Sequence, residues 1–329
     1  MREERLKCWG AINEEMGWLQ IGSTAYKSQA PALRETIGEG NGDRSGPGYA
    51  VSFEGEVFRQ RYYAHRGLIL SMYLSVKRRT AMGAEFINLT AENLAGEHLC
   101  CIIRSKKPHP GVEAKRQWLS ERLAEGHVFR KLNEKATVMI EYAPLETAWV
   151  PVTGDNYIYL YCLWASGEHK GKGYGKALME YCLADARAKG KSGVCMLGAA
   201  KQKSWLSDQS FAKKFGFETV DAAGGYELLA LSFDGTKPKF TDSAKMQTIA
   251  NKELTVYYSP QCPFILQKVE SIRAYCETNG VPASFILVDT LQKAKELPCV
   301  FNNWAMFYQG KFETVNLVDV GYVERLLKR

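Results

Sequence analysis

The segment 160–176, LYCLWASGEHKGKGYGK, constrains the fold of this chain more than any other segment. An apolar strand runs into a short Gly-rich loop, and the loop opens directly into an amphipathic helix. Backbone N–H groups at the start of such a helix, together with the positive end of its dipole, point at one spot. The segment therefore predicts an α/β arrangement with an anion site, and a phosphate-bearing ligand is the first expectation.

Two familiar phosphate-binding loops do not match this segment. The nucleotide P-loop needs a Gly five positions before the Gly of Gly-Lys-Ser/Thr. That position is Lys170, and the residue after Lys176 is Ala177. The dinucleotide fingerprint Gly-x-Gly-x-x-Gly/Ala also fails, because its third small residue would be Lys176 or Leu178. Both motif classes are excluded.

The segment resembles the acetyl-CoA loop of the GNAT acetyltransferases, which reads Arg/Gln-x-x-Gly-x-Gly/Ala between a strand and a helix. Lys170 stands where Arg or Gln is usual, and Gly173 and Gly175 match. The resemblance implies an N-acetyltransferase that uses acetyl-CoA as co-substrate and transfers the acetyl group directly to an amine. A Gly-rich turn without a ligand is the plain alternative.

The resemblance also assigns roles to the residues around the loop. The amides that it implies for the CoA pyrophosphate are those of Lys170, Gly171, Lys172, Gly173, Tyr174, Gly175 and Lys176. The backbone that it implies for the pantetheine arm is that of Leu163, Trp164 and Ala165. The implied fold is a mixed central sheet of the α/β (α+β) class.

Composition favours a cytoplasmic protein with two domains. The chain has 329 residues, 46% of them apolar, and a net charge of +7 with no clustered basic face, so we expect no nucleic acid partner. Nine scattered Cys show no paired CxxC spacing, so we expect no metal. The apolar run 68–76 is about half of what a membrane span needs, and we expect no membrane partner.

Composition and periodicity divide the chain into four parts. We expect residues 1–81 to be a poorly structured extension and Met82 to be the native start; the rival interpretation is a small regulatory region. Helical and strand patterns then alternate over 82–235. There Thr90 is expected to cap a short helix and Asp208 a second one. Residues 236–250 read as a linker, and 251–329 as a second α/β domain with a hairpin at Gln309 and Gly310.

The second domain is predicted to be thioredoxin-like. Its Cys262-Pro-Phe-Ile265 resembles the glutaredoxin Cys-Pro-Phe/Tyr-Cys, with Ile265 in place of the second Cys. The arrangement of both domains resembles proteins that carry a YoaP-like C-terminal domain. Cys262 falls at a strand-to-helix turn, where a helix N-terminus favours the thiolate, so it is the redox candidate. The alternative is a domain that has lost redox function and binds a partner.

The catalytic groups are less clearly marked than the loop. Glu141 on the central strand and Glu146 just after it are the candidate bases, and for each a solvated or salt-bridged carboxylate is the alternative. Many family members carry a Tyr that protonates the thiolate, but that position here is Ala212. Ser204 and Ser207 are nearby candidates for this role.

Three functions therefore stay open at this stage. The first is acetyl transfer to an unknown amine, for which a small molecule is the favoured acceptor. The second is a non-catalytic CoA-binding sensor or adaptor, favoured by Ala212 and the fused domain. The third is a monothiol redox protein that works through Cys262. The sequence leaves the oligomeric state open.

Overall fold

The structure, a computed structural model, describes residues 10–13, 18–21, 24–27, 85–99 and 109–329. Backbone contacts divide the chain into two compact units, residues 1–74 and 75–329. In the first unit, three strands form an antiparallel sheet in the order β1 (Gly10–Asn13), β2 (Trp18–Ile21) and β3 (Thr24–Lys27). The rest of the predicted 1–81 extension lies outside the described residues, so its assignment stays a prediction.

A mixed sheet forms the centre of the second unit. Its part of the chain contains the strands β4 (Phe86–Asn88), β5 (Val128–Leu132), β6 (Val138–Pro144), β7 (Val152–Thr153), β8 (Tyr157–Ala165), β9 (Gly193–Gly198), β10 (Glu218–Ala223), β11 (Tyr226–Ser232) and β12 (Lys239–Phe240). Seven of them pair in the order β10-β11-β9-β8-β6-β5-β4, and β7 pairs with β12. Only β8 and β9 of that seven-stranded sheet are parallel. The predicted α/β class with a mixed central sheet is confirmed.

Helices pack on both faces of this sheet, Tyr174–Ala188 on one face and Pro110–Leu123 on the opposite face. The α-helices of the second unit are α1 (Pro110–Leu123), α2 (Tyr174–Ala188), α3 (Gln209–Lys213), α4 (Asp242–Met246), α5 (Phe264–Thr278), α6 (Leu291–Lys295) and α7 (Val320–Leu327). Buried Leu178 and Cys182 of α2 pack with Ile158 and Leu160 of β8. Asp208 caps α3, as the sequence predicts, because its carboxylate accepts the amides of Ser210 and Phe211.

A second sheet of four strands forms the C-terminal region. Its strands are β13 (Leu254–Tyr258), β14 (Ala283–Leu287), β15 (Trp304–Tyr308) and β16 (Lys311–Thr314), paired in the order β14-β13-β15-β16. The parallel pair β13 and β14 is connected through α5, whose Ile265, Val269 and Ile272 are buried. Gln309 and Gly310, at φ 53° and 78°, form the predicted hairpin turn between β15 and β16.

The C-terminal region packs on the face of the central sheet opposite α2. Side chains alternate along a strand, so Tyr157 and Tyr159 of β8 point away from Ile158 and Leu160. These tyrosines share one apolar cluster with Val300 and Val315 of the C-terminal region. Lys239–Phe240 and Asp242–Met246 lie inside the predicted linker 236–250, with Phe240 and Ala244 buried. The two regions therefore share a continuous core.

One local prediction is wrong. Residues 91–96 form turns instead of the short helix that Thr90 was expected to cap. The Asn93 side chain accepts the amide of Thr90 and donates to the carbonyl of Asn88, and such local bonds compete with helix formation. In the described part of the chain, no helix is long and apolar enough to cross a membrane.

Candidate active site

Strands β8 and β9 separate along their length and leave an open edge. Their pairing ends at Tyr159 and Cys195, whereas β8 stays paired with β6 as far as Ala165 and β9 with β11 as far as Gly198. The register of β6 on β8 shifts between Glu141 and Tyr142, which marks a β-bulge next to the divergence. The β9-facing edge of residues 160–165 therefore has no strand partner among the described residues.

The predicted anion loop follows this edge directly. Gly171 and Gly173 have φ values of 79° and 83°, a left-handed backbone that favours glycine. The first intrahelical bond of α2 runs from the Ala177 amide to the Gly173 carbonyl, so the preceding amides of the helix have no intrahelical acceptor. Residues 170–173 are exposed, and the geometry fits a phosphate group.

The predicted pantetheine residues lie on the open edge of β8. Trp164 is exposed, and Leu163 and Ala165 contact the cluster around α2. The amide of Leu163 donates to the Ser207 hydroxyl at 3.1 Å, so Ser207 lies at the divergence of the strands. Ala212, at the family's usual Tyr position, is buried in the core. The open edge of β8 and the loop that follows it thus lie at one end of this strand, and these are the two segments predicted to hold acetyl-CoA.

Glu141 forms the centre of a buried polar network on the face of the sheet opposite α2. Its carboxylate accepts from Lys115 Nζ at 2.5 Å, from His127 Nε2 at 2.9 Å and from Gln261 Nε2 at 2.9 Å. Glu141, Lys115, His127 and Gln261 are each at most 5% exposed. Since a carboxylate only accepts hydrogen bonds, His127 carries its proton on Nε2.

Gln261 connects this network to the C-terminal region. Its backbone carbonyl accepts from Lys115 Nζ at 2.6 Å, and its side-chain carbonyl accepts from Asn303 at 2.8 Å. The neighbouring Asn302 accepts from the Tyr159 hydroxyl of β8 at 3.0 Å. The network therefore satisfies its buried polar groups with partners from both regions, as a low-dielectric site requires.

Two opposing effects set the charge of the network. Burial raises the pKa of Glu141, but the Lys115 ammonium and the His127 bond outweigh burial, so this pKa lies below its ordinary value. Burial lowers the pKa of His127 despite its bond to Glu141. Glu141 is therefore an anion paired with Lys115 at neutral pH, and His127 is neutral.

A cavity of about 60 Å³ opens beside Glu141 between the central sheet and the C-terminal region. Its walls include Glu141, Trp164 of β8, Trp205 and Cys262. Glu141, Trp164 and Cys262, which the sequence predicts as site residues from three separate segments, thus line the same cavity. The structure does not bring Glu146 to this place, because that side chain is about half exposed and pairs with Lys191 at 3.3 Å.

All three hydrogen-bond partners of Glu141 were missed in the sequence, and His127 is one of them. Lys115 lies three residues after Val112 and four before Leu119, on the apolar face of the predicted helix, and a charge at such a position signals a buried partner. Gln261 carries no comparable signal except its place before Cys262. Across the described ranges, no group of three or more His, Cys, Asp or Glu residues is arranged to hold a metal ion.

Comparison with known proteins identifies the family of this chain. A model of the acetyltransferase (GNAT) family matches residues 94–217, and a YoaP-like model matches residues 282–328. The uncharacterized N-acetyltransferase YoaP of Bacillus subtilis (strain 168) is 35% identical over 245 residues, 74% of this chain and 98% of that protein. The chain belongs to the GNAT acetyltransferase family. The predictions of an N-acetyltransferase with acetyl-CoA as co-substrate and of a YoaP-like C-terminal region are confirmed.

Solved GNAT structures resemble parts of the chain at low identity. A GNAT family acetyltransferase from Brucella melitensis in complex with acetyl-CoA is 14% identical, with a TM-score of 0.32, and covers 48% of this chain and 92% of its own. The PaiA N-acetyltransferase from Thermoplasma acidophilum in complex with coenzyme A is 16% identical, with a TM-score of 0.33, and covers 46% of this chain and 100% of its own. The family assignment rests on the sequence matches.

Proposed function

We propose that this GNAT acetyltransferase transfers an acetyl group from acetyl-CoA directly to a small amine held in the cavity beside Glu141. One observation carries the proposal: a single strand, β8, adjoins both the anion loop and the cavity. Its open edge ends at Ala165 before the loop, and its Trp164 side chain lines the cavity. The strand therefore holds the bound acetyl-CoA close to the amine. Direct transfer requires this proximity and orientation of the two reactants.

The residues around the loop fit the CoA moiety. Amides of residues 170–176 would hold the pyrophosphate, and those at the helix start, 174–176, have no intrahelical acceptor. The amides of Lys170 and Lys172 donate to the carbonyls of Gly167 and His169 and would have to exchange these bonds for the phosphate. The backbone of Leu163, Trp164 and Ala165 would hold the pantetheine arm along the open edge, where the Leu163 amide donates to the Ser207 hydroxyl. Acetyl-CoA supplies the thioester-activated acetyl group, and the chain's own residues orient the amine and take its proton.

Glu141 is the residue proposed to take that proton. It lines the cavity, and its pKa below the ordinary value keeps it ionised at neutral pH. A low pKa makes a carboxylate a weak base for a free ammonium ion, but the nitrogen becomes far more acidic once it bonds to the acetyl carbon. A carboxylate beside the cavity suits the removal of the proton at that stage. Glu146 has no such role because it lies in a surface ion pair.

Ser207 is the proposed hydrogen-bond donor to the departing thiolate. Its hydroxyl oxygen accepts the Leu163 amide at the divergence of β8 and β9, which leaves its own proton to donate. Ser204 is exposed. A thiolate is a good leaving group, so a weak donor is sufficient where Ala212 replaces the usual Tyr.

For the C-terminal region we propose a thioredoxin-like core that forms a wall of the acceptor site. The parallel β13–α5–β14 unit followed by the antiparallel β15 and β16 supports that description. Placement of Cys262 in the cavity supports a role beside the acceptor over an independent redox activity. A cytoplasmic location is proposed on the scattered cysteines of the sequence, which suit a reducing compartment.

The experiment that tests the proposal is thiol release by the full chain from acetyl-CoA in the presence of a mixed panel of amines. We expect release that depends on both acetyl-CoA and amine and is slowed strongly by Glu141→Gln. Glu146→Gln is the matched control and should retain the parent rate. Acetyl-CoA binding without release for any amine would favour the sensor alternative.

A further inference from the structure

The mouth of the acceptor cavity is formed by exposed tryptophans. In the described part of the chain, four large apolar residues are exposed, and two of them are Trp164 at 38% and Trp205 at 45%. Both line the cavity that contains Glu141. A ligand that covers an exposed tryptophan removes a large apolar area from water, which favours binding. Two tryptophans at one opening therefore indicate a contact surface for an apolar group.

Trp205 is held in an unusual backbone conformation. Its φ of 66° lies in the left-handed region, which bulky side chains rarely adopt. Its ring packs edge-on against Phe264 at 5.5 Å between centroids, and Phe264 begins α5 directly after the Cys262-Pro263 wall of the cavity. The surrounding structure therefore fixes this ring at the opening despite the strained backbone.

The charges of the cavity are already compensated. Glu141 is the one carboxylate among its lining residues and Lys115 the one cation, and they pair with each other at 2.5 Å. The other polar groups are amides, thiols and one phenol. A diamine or an acceptor with a carboxylate would bring a second charge for which the lining residues offer no uncompensated charge of opposite sign.

The volume limits what enters. A cavity of about 60 Å³ is less than half of the ~150 Å³ that holds a benzene ring. It accommodates an amino group and the first carbons of its chain. A ring attached to that chain stays at the opening, where Trp164 and Trp205 lie.

We propose that the acceptor is an arylalkylamine, a primary monoamine with an aromatic body on a short saturated chain. Trp164 and Trp205 determine this specificity by packing on the ring, while the amino group reaches the Glu141 side of the cavity. The proposal rests on the proposed acetyl transfer for its catalytic consequence. Its binding consequence is independent of turnover.

The test compares phenethylamine, putrescine and a tripeptide with a free N-terminus on the full chain. Amine binding is followed by tryptophan fluorescence in the presence of CoA, and acetylation by thiol release. Phenethylamine should bind and be acetylated at least tenfold better than either competitor. Trp205→Asn, which tolerates the left-handed backbone, should weaken phenethylamine binding and raise its KM roughly tenfold, with kcat changed less than about twofold. Trp164→Ala should weaken phenethylamine binding to a similar extent.

Leu287→Ala is the matched control, because Leu287 is 39% exposed and does not line the cavity. Stronger binding of putrescine or of the tripeptide would overturn the proposal, as would tryptophan variants whose phenethylamine affinity equals that of the control. Failure of the proposed function would give a different result. Phenethylamine would still bind with an affinity that depends on both tryptophans, but it would not be acetylated.

Discussion

Gln261 donates its side-chain amide to Glu141 across 2.9 Å, although the two residues lie 120 positions apart in the chain. The donor belongs to the C-terminal region, and the acceptor belongs to β6, which is adjacent to the central strand β8 of the GNAT sheet. The C-terminal region is therefore part of the proposed acceptor site. Its contribution includes a buried hydrogen bond to the proposed base and a wall of the cavity.

Replacement of Gln261 tests this contribution. Gln261→Leu removes one donor from a buried carboxylate, and a lost bond to a charged group corresponds to roughly tenfold or more in kcat. Acetyl-CoA affinity should stay at the parent value, because the anion loop lies elsewhere. Gln292→Leu on exposed α6 is the control. A Gln261→Leu enzyme with the parent kcat would show that the bond has no role in turnover.

The pH dependence of the reaction follows from the charge of Glu141. Lys115 and His127 hold its pKa below the ordinary value of a glutamate, so the carboxylate is ionised throughout the range from about pH 5 to 8. The value of kcat/KM should then rise with pH only through ionisation of the acceptor amine itself. Glu141→Gln should lower the rate roughly 10²- to 10⁴-fold at every pH in this range. A separate enzyme ionisation near pH 6 to 7 in the parent profile would contradict this assignment.

Gly111 permits the close approach of α1 to the Cys262 segment. A Cβ at this position would overlap the carbonyl oxygen of Pro263, so Gly111→Ala should displace the wall of the cavity. We expect a loss of about 1–3 kcal/mol in the free energy of unfolding and a reduced rate of acetylation. Gly96→Ala is the control, because among the described residues the added Cβ would approach the Asn93 carbonyl oxygen alone, at 3.9 Å. Urea denaturation and thiol release measure both effects.

Alkylation of Cys262 should block the acceptor and leave acetyl-CoA binding intact. The side chain lines the cavity, so an added carboxamidomethyl group occupies space that the amine needs. Cys262→Ser should stay active and resist inhibition by iodoacetamide at this position. Because Cys162 lines the same cavity, peptide mapping and Cys162→Ser assign the inhibition to one thiol. A loss of turnover beyond tenfold in Cys262→Ser would instead indicate a chemical role for the thiol.

Local sequence features account for what could be predicted of the fold. The glycines of the loop, the Asp208 cap and the turn at Gln309 and Gly310 each act through bonds within a few residues, so their patterns are visible in the sequence. The prediction of a helix after Thr90 was wrong because the side chain of Asn93, three residues later, forms a competing local hydrogen bond with the Thr90 amide.

The proposed acceptor site could not be predicted from the sequence, because it is formed by contacts between residues far apart in the chain. Glu141 meets partners that lie 14, 26 and 120 positions away, and these separations are set by sheet order and by the packing of the C-terminal region. Glu146 looked equivalent to Glu141 in the sequence, yet it lies beyond the end of β6 and meets solvent. Only the three-dimensional arrangement separates the two carboxylates.

The most direct test of the account is calorimetric titration of acetyl-CoA into the parent chain, Gly173→Val and Gly190→Val. Both glycines have a left-handed backbone, at φ 83° and 63°, and both lie at ends of α2, so each variant carries similar strain. Only Gly173 belongs to the anion loop. The account predicts that the parent and Gly190→Val bind acetyl-CoA and that Gly173→Val does not. Equal affinity in all three proteins would contradict it.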